Sequence, residues 1–317
     1  GDFAKDVISF ILIVGLTIVN IFGVNVSKFV NNLITISKLV PLALFIAIGI
    51  FFINGANFTP VFPQDTYMDG SFAQAAVLLF FAYTGFEVIA IAAEDMKNPK
   101  KNLPRAIIMC MLLVSVLYMA ILAVSIGVLG TDLANTKAPV QDAFNVIVGP
   151  IGMYIVLVGT LISMGGINFA EAYYAPRVAT SMAEDGMLPS ALAKRNRYNA
   201  PYIAAIVTAI ASVLLAWSGS FTTLAAISAV SRFTQYLPTC LAVIIFRRKW
   251  ADKARSYTIP GGYLIPVIAI GTSLWMLAQA QTNQLLWGLG GCIVILPFYY
   301  SYWKKKKAGL IKDHDEM

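Results

Sequence analysis

A carboxylate set in an apolar stretch is the most chemically loaded feature of this sequence. Glu87 ends the run Phe80-Phe81-Ala82-Tyr83-Thr84-Gly85-Phe86-Glu87, inside a hydrophobic segment that extends from residue 72 to 95. An ionisable group at mid-bilayer costs at least about 2.5 kcal/mol, and Gly costs about 1 kcal/mol against Ala in a helix interior. Both are tolerated mainly where a helix breaks and lines a cavity. A broken helix frees carbonyls and N–H groups that can meet the ammonium and carboxylate of a zwitterion. The plainer alternative is a Gly that lets helices pack closely, with Glu87 bonded to a neighbour. The expected chemistry is recognition rather than bond-making.

Three other polar side chains lie within apolar segments. Lys38, in Thr35-Ile36-Ser37-Lys38-Leu39-Val40-Pro41, would sit about 6 Å into its helix, a depth from which it can snorkel to the headgroups. Arg232 lies about 13 Å into another helix, keeps its charge, and must face protein or water; a structural ion pair is the expected role. Asn168 stands one turn before Glu171 and is a candidate for a cavity wall. No catalytic residue is expected. His314 is the only histidine and lies in a polar tail, so neither a His-based triad nor a zinc site can be assembled. Cys110, Cys240 and Cys292 all fall in apolar segments without disulfide or metal spacing. No metal and no cofactor are expected.

The elements that must position these groups are helices in a membrane. Hydrophobic residues make up 58% of the chain, charged residues 12%, and the mean hydropathy is +0.74; a soluble domain carries about 25% charged residues. Reading with a span of about 20 residues gives approximate helices at 7–23, 34–53, 72–95, 104–130, 150–171, 201–217, 223–246, 263–280 and 285–303, nine in all. Residues 139–149 read as a short surface helix. The net charge of +7 sits in short clusters between spans, with no basic face, which argues against nucleic acid as a partner. Nineteen Lys and Arg fall on one side of the predicted spans and two, Lys5 and Lys137, on the other. That imbalance predicts a cytoplasmic C-terminus, with residues 304–317 as a cytoplasmic tail.

The run at 80–87, followed by Ala-Ala-Glu-Asp-Met-Lys-Asn-Pro-Lys-Lys-Asn-Leu-Pro-Arg-Ala-Ile at 92–107, resembles the sixth transmembrane helix and following loop of amino-acid permeases of the amino acid–polyamine–organocation superfamily. Residues 165–189 are similar to the end of the family's eighth helix and its loop, with Pro176 and Glu184 departing from the usual pattern. Residues 231–248 are similar to its tenth helix. The resemblance implies an all-α integral membrane protein of LeuT-like fold, built on a 5+5 inverted repeat. Here it would be partial, a single permease domain over residues 1–317 corresponding to family helices four to twelve, with the broken helix near residues 83–87. It implies secondary transport of an amino acid by alternating access in the cell membrane. By the same resemblance Phe81 covers the substrate and Ala82, Tyr83, Thr84 and Gly85 form the unwound stretch that binds it. Some proton-coupled permeases place a Lys where Lys38 stands, which implies proton symport. A transport-inactive scaffold and an exchanger without proton coupling remain as alternatives.

Overall fold

Apolar runs of about 20 residues satisfy their peptide groups within a bilayer by local hydrogen bonding, so helices are the expected solution. The computed structural model describes residues 2–22, 28–60, 71–87, 89, 96–251, 255 and 257–307, and among these there is no strand. The helices are α1 Asp2–Ile21, α2 Lys28–Gly49, α3 Ser71–Ala82, α4 Pro99–Leu129, α5 Pro139–Val148, α6 Pro150–Glu184, α7 Tyr202–Ser218, α8 Phe221–Lys249, α9 Leu264–Gln279 and α10 Thr282–Lys307. Among the described residues six stretches are long and apolar enough to cross a membrane, contributed by α1, α2, α4, α6, α8 and α10, and α3, α7 and α9 are shorter apolar helices. The expected surface helix at 139–149 is α5. Residues 90–95 and the tail beyond 307 lie outside the described residues.

Several boundaries differ from the expected ones for identifiable reasons. Helix α2 begins at Lys28, six residues before the apolar run starts, because Lys-Phe-Val-Asn-Asn contains no breaker. Helix α4 begins at Pro99, where the missing N–H of a proline is harmless in a first turn, and carries Pro104 inside it. Helix α6 continues through Pro176 to Glu184 instead of ending near residue 171. Beyond Pro176, the Arg177 guanidinium donates to the Tyr173 carbonyl at 2.8 Å and lies 3.3 Å over the Tyr173 ring. The stop comes at Gly186, with φ +78°, where Met187 N–H reaches the Met182 carbonyl at 2.8 Å and Gly186 N–H the Ala183 carbonyl at 3.1 Å. That pair of bonds closes the last turn as a Schellman cap, which needs the left-handed residue Gly supplies. Glu184 pairs with Arg195 at 3.0 Å on the surface, an exposed bridge worth at most about 1 kcal/mol.

The chain forms two compact units. The first comprises residues up to Thr59, Ala120–Gly219 and those from Val294 onward. In it, Phe10 of α1 stacks on Trp217 of α7, and Phe45, Val124, Ala143, Phe144 and Val156 form a buried cluster with Phe45 edge-on to Phe144. Helices α2 and α6 meet at glycine. A Cβ on Gly159 would lie 2.6 Å from Pro41 Cγ and 3.0 Å from the Ser37 carbonyl oxygen, and one on Gly166 would run into Ile34. Small residues let backbones approach where no hydrophobic force drives helix association. Gly159→Ala should therefore destabilise the protein by about 1–3 kcal/mol through overpacking, read as a lower Tm in detergent. Gly165→Ala on the same helix, where nothing lies within 4 Å, should leave the Tm unchanged. Equal melting of the two variants would refute the close contact.

The second unit comprises Pro60–Met119 and Ser220–Ile293. Helix α3 packs on α8 through Val77, Ala226 and Ala229, with Phe80 stacked on Phe233 at 4.9 Å between ring centroids. This unit holds the end of α3 and the turn at residues 83–85.

Candidate functional site

Helix α3 ends at Ala82 after only twelve residues, and residues 83–85 form a turn. Gly85 has φ +107°, a conformation closed to side-chain-bearing residues at ordinary cost, which explains why glycine stands there. The turn closes part of its own hydrogen bonding. Tyr83 N–H reaches the Phe80 carbonyl at 3.0 Å, and Thr84 gives both its N–H (3.1 Å) and its hydroxyl (2.7 Å) to the Phe81 carbonyl. The Ala82 carbonyl accepts from the Tyr118 hydroxyl of α4 at 3.1 Å, and the Tyr83 and Tyr118 rings meet edge-on at 5.3 Å. Two of the three carbonyls are thus held by the turn itself. Among the described residues, the third is held by a side chain alone, and it belongs to an exposed residue.

Glu87 holds the far end of the turn. Its Oε2 accepts from Gly85 N–H at 2.9 Å and from the Tyr236 hydroxyl at 3.1 Å, and its Oε1 lies 2.6 Å from Arg232 Nη1. The last contact is a charge contact without hydrogen-bond alignment, so Oε1 has no aligned donor. The Glu87 side chain is 12% exposed and that of Arg232 35%. A carboxylate this secluded needs a cation and donors around it. Arg232 and Tyr236 stand four residues apart on α8, hence on one face, and grip the same carboxylate.

A cavity of about 500 Å³ lies beside the turn. Tyr83, Thr84, Phe86 and Glu87 form one wall; α4, α8 and α9 supply the rest, including Met111, Tyr236, Cys240 and Met276. Its surface is largely apolar.

A sequence profile of the family described as amino acid permease matches residues 2–302, nearly the whole chain. The chain belongs to the amino acid permease family. It is similar to the branched-chain amino acid permease BcaP of Bacillus subtilis, with 29% identity over 304 residues, covering 94% of the chain and 64% of the relative. It is similar to the methylthioribose transporter of the same organism, at 30% identity over 89% of the chain and 61% of that protein. It is also similar to the serine/threonine exchanger SteT of Bacillus subtilis, at 29% identity over 97% and 72%. The chain thus spans a little under two thirds of the first two. All three are transport proteins by name, and the family together with the apolar helices makes the chain a multi-pass membrane protein.

Of the residues singled out from sequence, the second unit brings together Ala82, Tyr83, Thr84, Gly85, Glu87 and Arg232. Phe81 is turned to packing, edge-on to Phe221 and against the α3–α8 cluster. Lys38 and Asn168 belong to the first unit. Lys38 is half-buried, and Asn168 is exposed, donating to the Met164 carbonyl of its own helix at 2.9 Å. Tyr118 and Tyr236 were not singled out. Their signal is a hydroxyl-bearing ring inside an apolar helix, and for Tyr236 the spacing of four from Arg232.

Proposed function

We propose that the permease carries an amino acid, or a chemically related amine, across the cell membrane by alternating access, as one part of a LeuT-like arrangement with its C-terminus in the cytoplasm. The observation that carries this reading is the end of α3 at Ala82 in a glycine-dependent turn, clamped by Glu87, Arg232 and Tyr236. Such a break costs stability in a membrane helix and is found where a helix meets a solute. The Ala82 carbonyl, held by one tyrosine hydroxyl, is the group that a substrate ammonium can take over by displacing Tyr118. Tyr83, Thr84 and Gly85 set the shape of the turn around it, and Phe81 covers it from the α8 side. Lys38 is the proposed proton carrier, and Asn168 an accessory polar group of the first unit.

A second reading, exchange of one amino acid for another without a proton, is favoured by the likeness to a serine/threonine exchanger over 97% of the chain. Reconstitution separates the two. Uptake of labelled amino acids into proteoliposomes driven by an inward proton gradient supports symport, whereas uptake that requires an amino acid inside supports exchange. No uptake under either condition, with no amino acid raising the Tm, would leave a membrane scaffold. A ligand bound only to the native state must stabilise it.

A further inference from the structure

The carbonyl proposed to grip a substrate ammonium and the cavity beside the turn are neighbours. Ala82 carries that carbonyl, and the next residue, Tyr83, lines the cavity. On α4, Tyr118 reaches the Ala82 carbonyl, and Met111, seven residues earlier on the same stripe, lines the cavity about 10.5 Å away at about 1.5 Å per residue. One face of α4 thus runs from the grip into the cavity, and the Tyr83 and Tyr118 rings, edge-on at 5.3 Å, stand where the two meet. Phe80, Phe86, Met111, Ala269 and Met276 make the wall largely apolar, and its methionines let it adapt to shape. The neutral hydrogen-bonding groups are of both senses. The Thr239 and Thr272 hydroxyls donate to carbonyls of their own helices at 2.7 and 2.9 Å and still accept, whereas Gln235 and Ser273 carry donors as well as acceptors. Among the described lining residues only Glu87 is charged, and Arg232 Nη1 counters it 2.6 Å from its Oε1.

The geometry points to a side-chain subsite: the cavity receives a large, uncharged side chain of the amino acid whose ammonium is held at the Ala82 carbonyl. The substrate class is then the bulky apolar amino acids, such as leucine, methionine and phenylalanine. This subsite rests on the grip at Ala82 proposed above. An apolar side chain is drawn in because the surface it removes from water stabilises the complex roughly in proportion to its area. A single methyl group leaves a volume of about 500 Å³ mostly unfilled and forgoes those contacts, which favours large over small. A charged side chain of either sign would leave water for a largely apolar wall whose one charge is already countered. Ala269 of α9 is specificity-determining, because it is the smallest side chain in the wall and leaves the room that a ring or branched chain fills.

Affinities are measured on the whole chain in detergent, from the rise of Tm with the concentration of each amino acid. Leucine, methionine and phenylalanine should bind about tenfold or more tighter than alanine, the gain that burying one large apolar side chain supplies, and lysine and aspartate no tighter than alanine. Ala269→Phe should lower the phenylalanine-to-alanine affinity ratio by about fivefold or more, whereas Gly271→Ala on the same helix, with nothing within 4 Å of the added Cβ, should leave the ratio unchanged. Placement is read separately on the unmutated chain, by N-ethylmaleimide alkylation of Cys240, which lines the cavity, and of the exposed Cys110 of α4. Saturating phenylalanine should slow Cys240 by about fivefold, as expected of a mostly occupied cavity, while saturating alanine should not, and neither should slow Cys110. Alanine, lysine or aspartate binding as tightly as leucine, an unchanged ratio in a folded Ala269→Phe, or Cys240 slowed equally by alanine and phenylalanine or by neither would each overturn the subsite while leaving the transport reading standing. No rise of Tm with any amino acid would remove the grip as well.

Discussion

Glu87→Ala should reduce amino-acid uptake into proteoliposomes by about tenfold or more while the protein still inserts and is purified. The variant removes the acceptor of Gly85 N–H, the acceptor of the Tyr236 hydroxyl and the counter-charge of Arg232 in one step. Leaving a half-buried guanidinium without its partner costs roughly 1–3 kcal/mol here, less than for a fully secluded pair because Arg232 keeps 35% of its side-chain surface open. About 1.4 kcal/mol already gives tenfold if the lost energy is what holds the turn in its binding shape. Glu87→Gln retains an acceptor for Gly85 and Tyr236 but no charge, so its uptake should fall between the two. Hydrogen exchange of the peptide covering residues 83–87 provides a second measure and should quicken in Glu87→Ala. Wild-type uptake together with wild-type exchange would mean that the clamp is ornamental.

The second large effect is expected at Lys38. Ile34, Lys38, Pro41 and Phe45 recur at spacings of four, three and four, which places them on one stripe of α2. Pro41 and Phe45 on that stripe are buried, and Ile34 and Pro41 face the glycines of α6. Lys38 therefore points with the packed face rather than toward lipid. If it carries the coupled proton, Lys38→Ala should abolish the stimulation of uptake by an inward proton gradient while leaving counterflow between internal and external amino acid. Lys38→Arg should behave alike, since a guanidinium does not give up its proton in a protein. A variant whose uptake still follows the proton gradient would remove Lys38 from the coupling scheme and leave exchange as the better description.

The helical class and the end of α3 ahead of Gly85 were legible because each rests on a local cost. Apolar runs must satisfy their own backbone, and the combination of Gly85 and Glu87 within one such run has few stable solutions. The extent of α6 was not legible from Pro176 alone. A proline reads as a stop, yet Arg177 folds back onto the Tyr173 carbonyl and ring, and the helix ends only at a glycine that can turn left-handed. The partnership of Glu87 with Arg232 and Tyr236 spans 145 to 149 positions of sequence, beyond any local pattern. The bond from the Thr84 hydroxyl to the Phe81 carbonyl was equally hidden, because a threonine's residue type does not say where its proton goes.

The seating of α2 on α6 works like two pegs in two sockets. Ile34 and Pro41 are seven residues apart, as are the glycines they meet, Gly166 and Gly159. Sliding the pair to the next matching register would need a jump of about 10.5 Å at about 1.5 Å per residue, with no resting place between. The two helices can therefore be expected to tilt and shift as a single beam, and Lys38, lying between the pegs, travels with that beam instead of sliding past it.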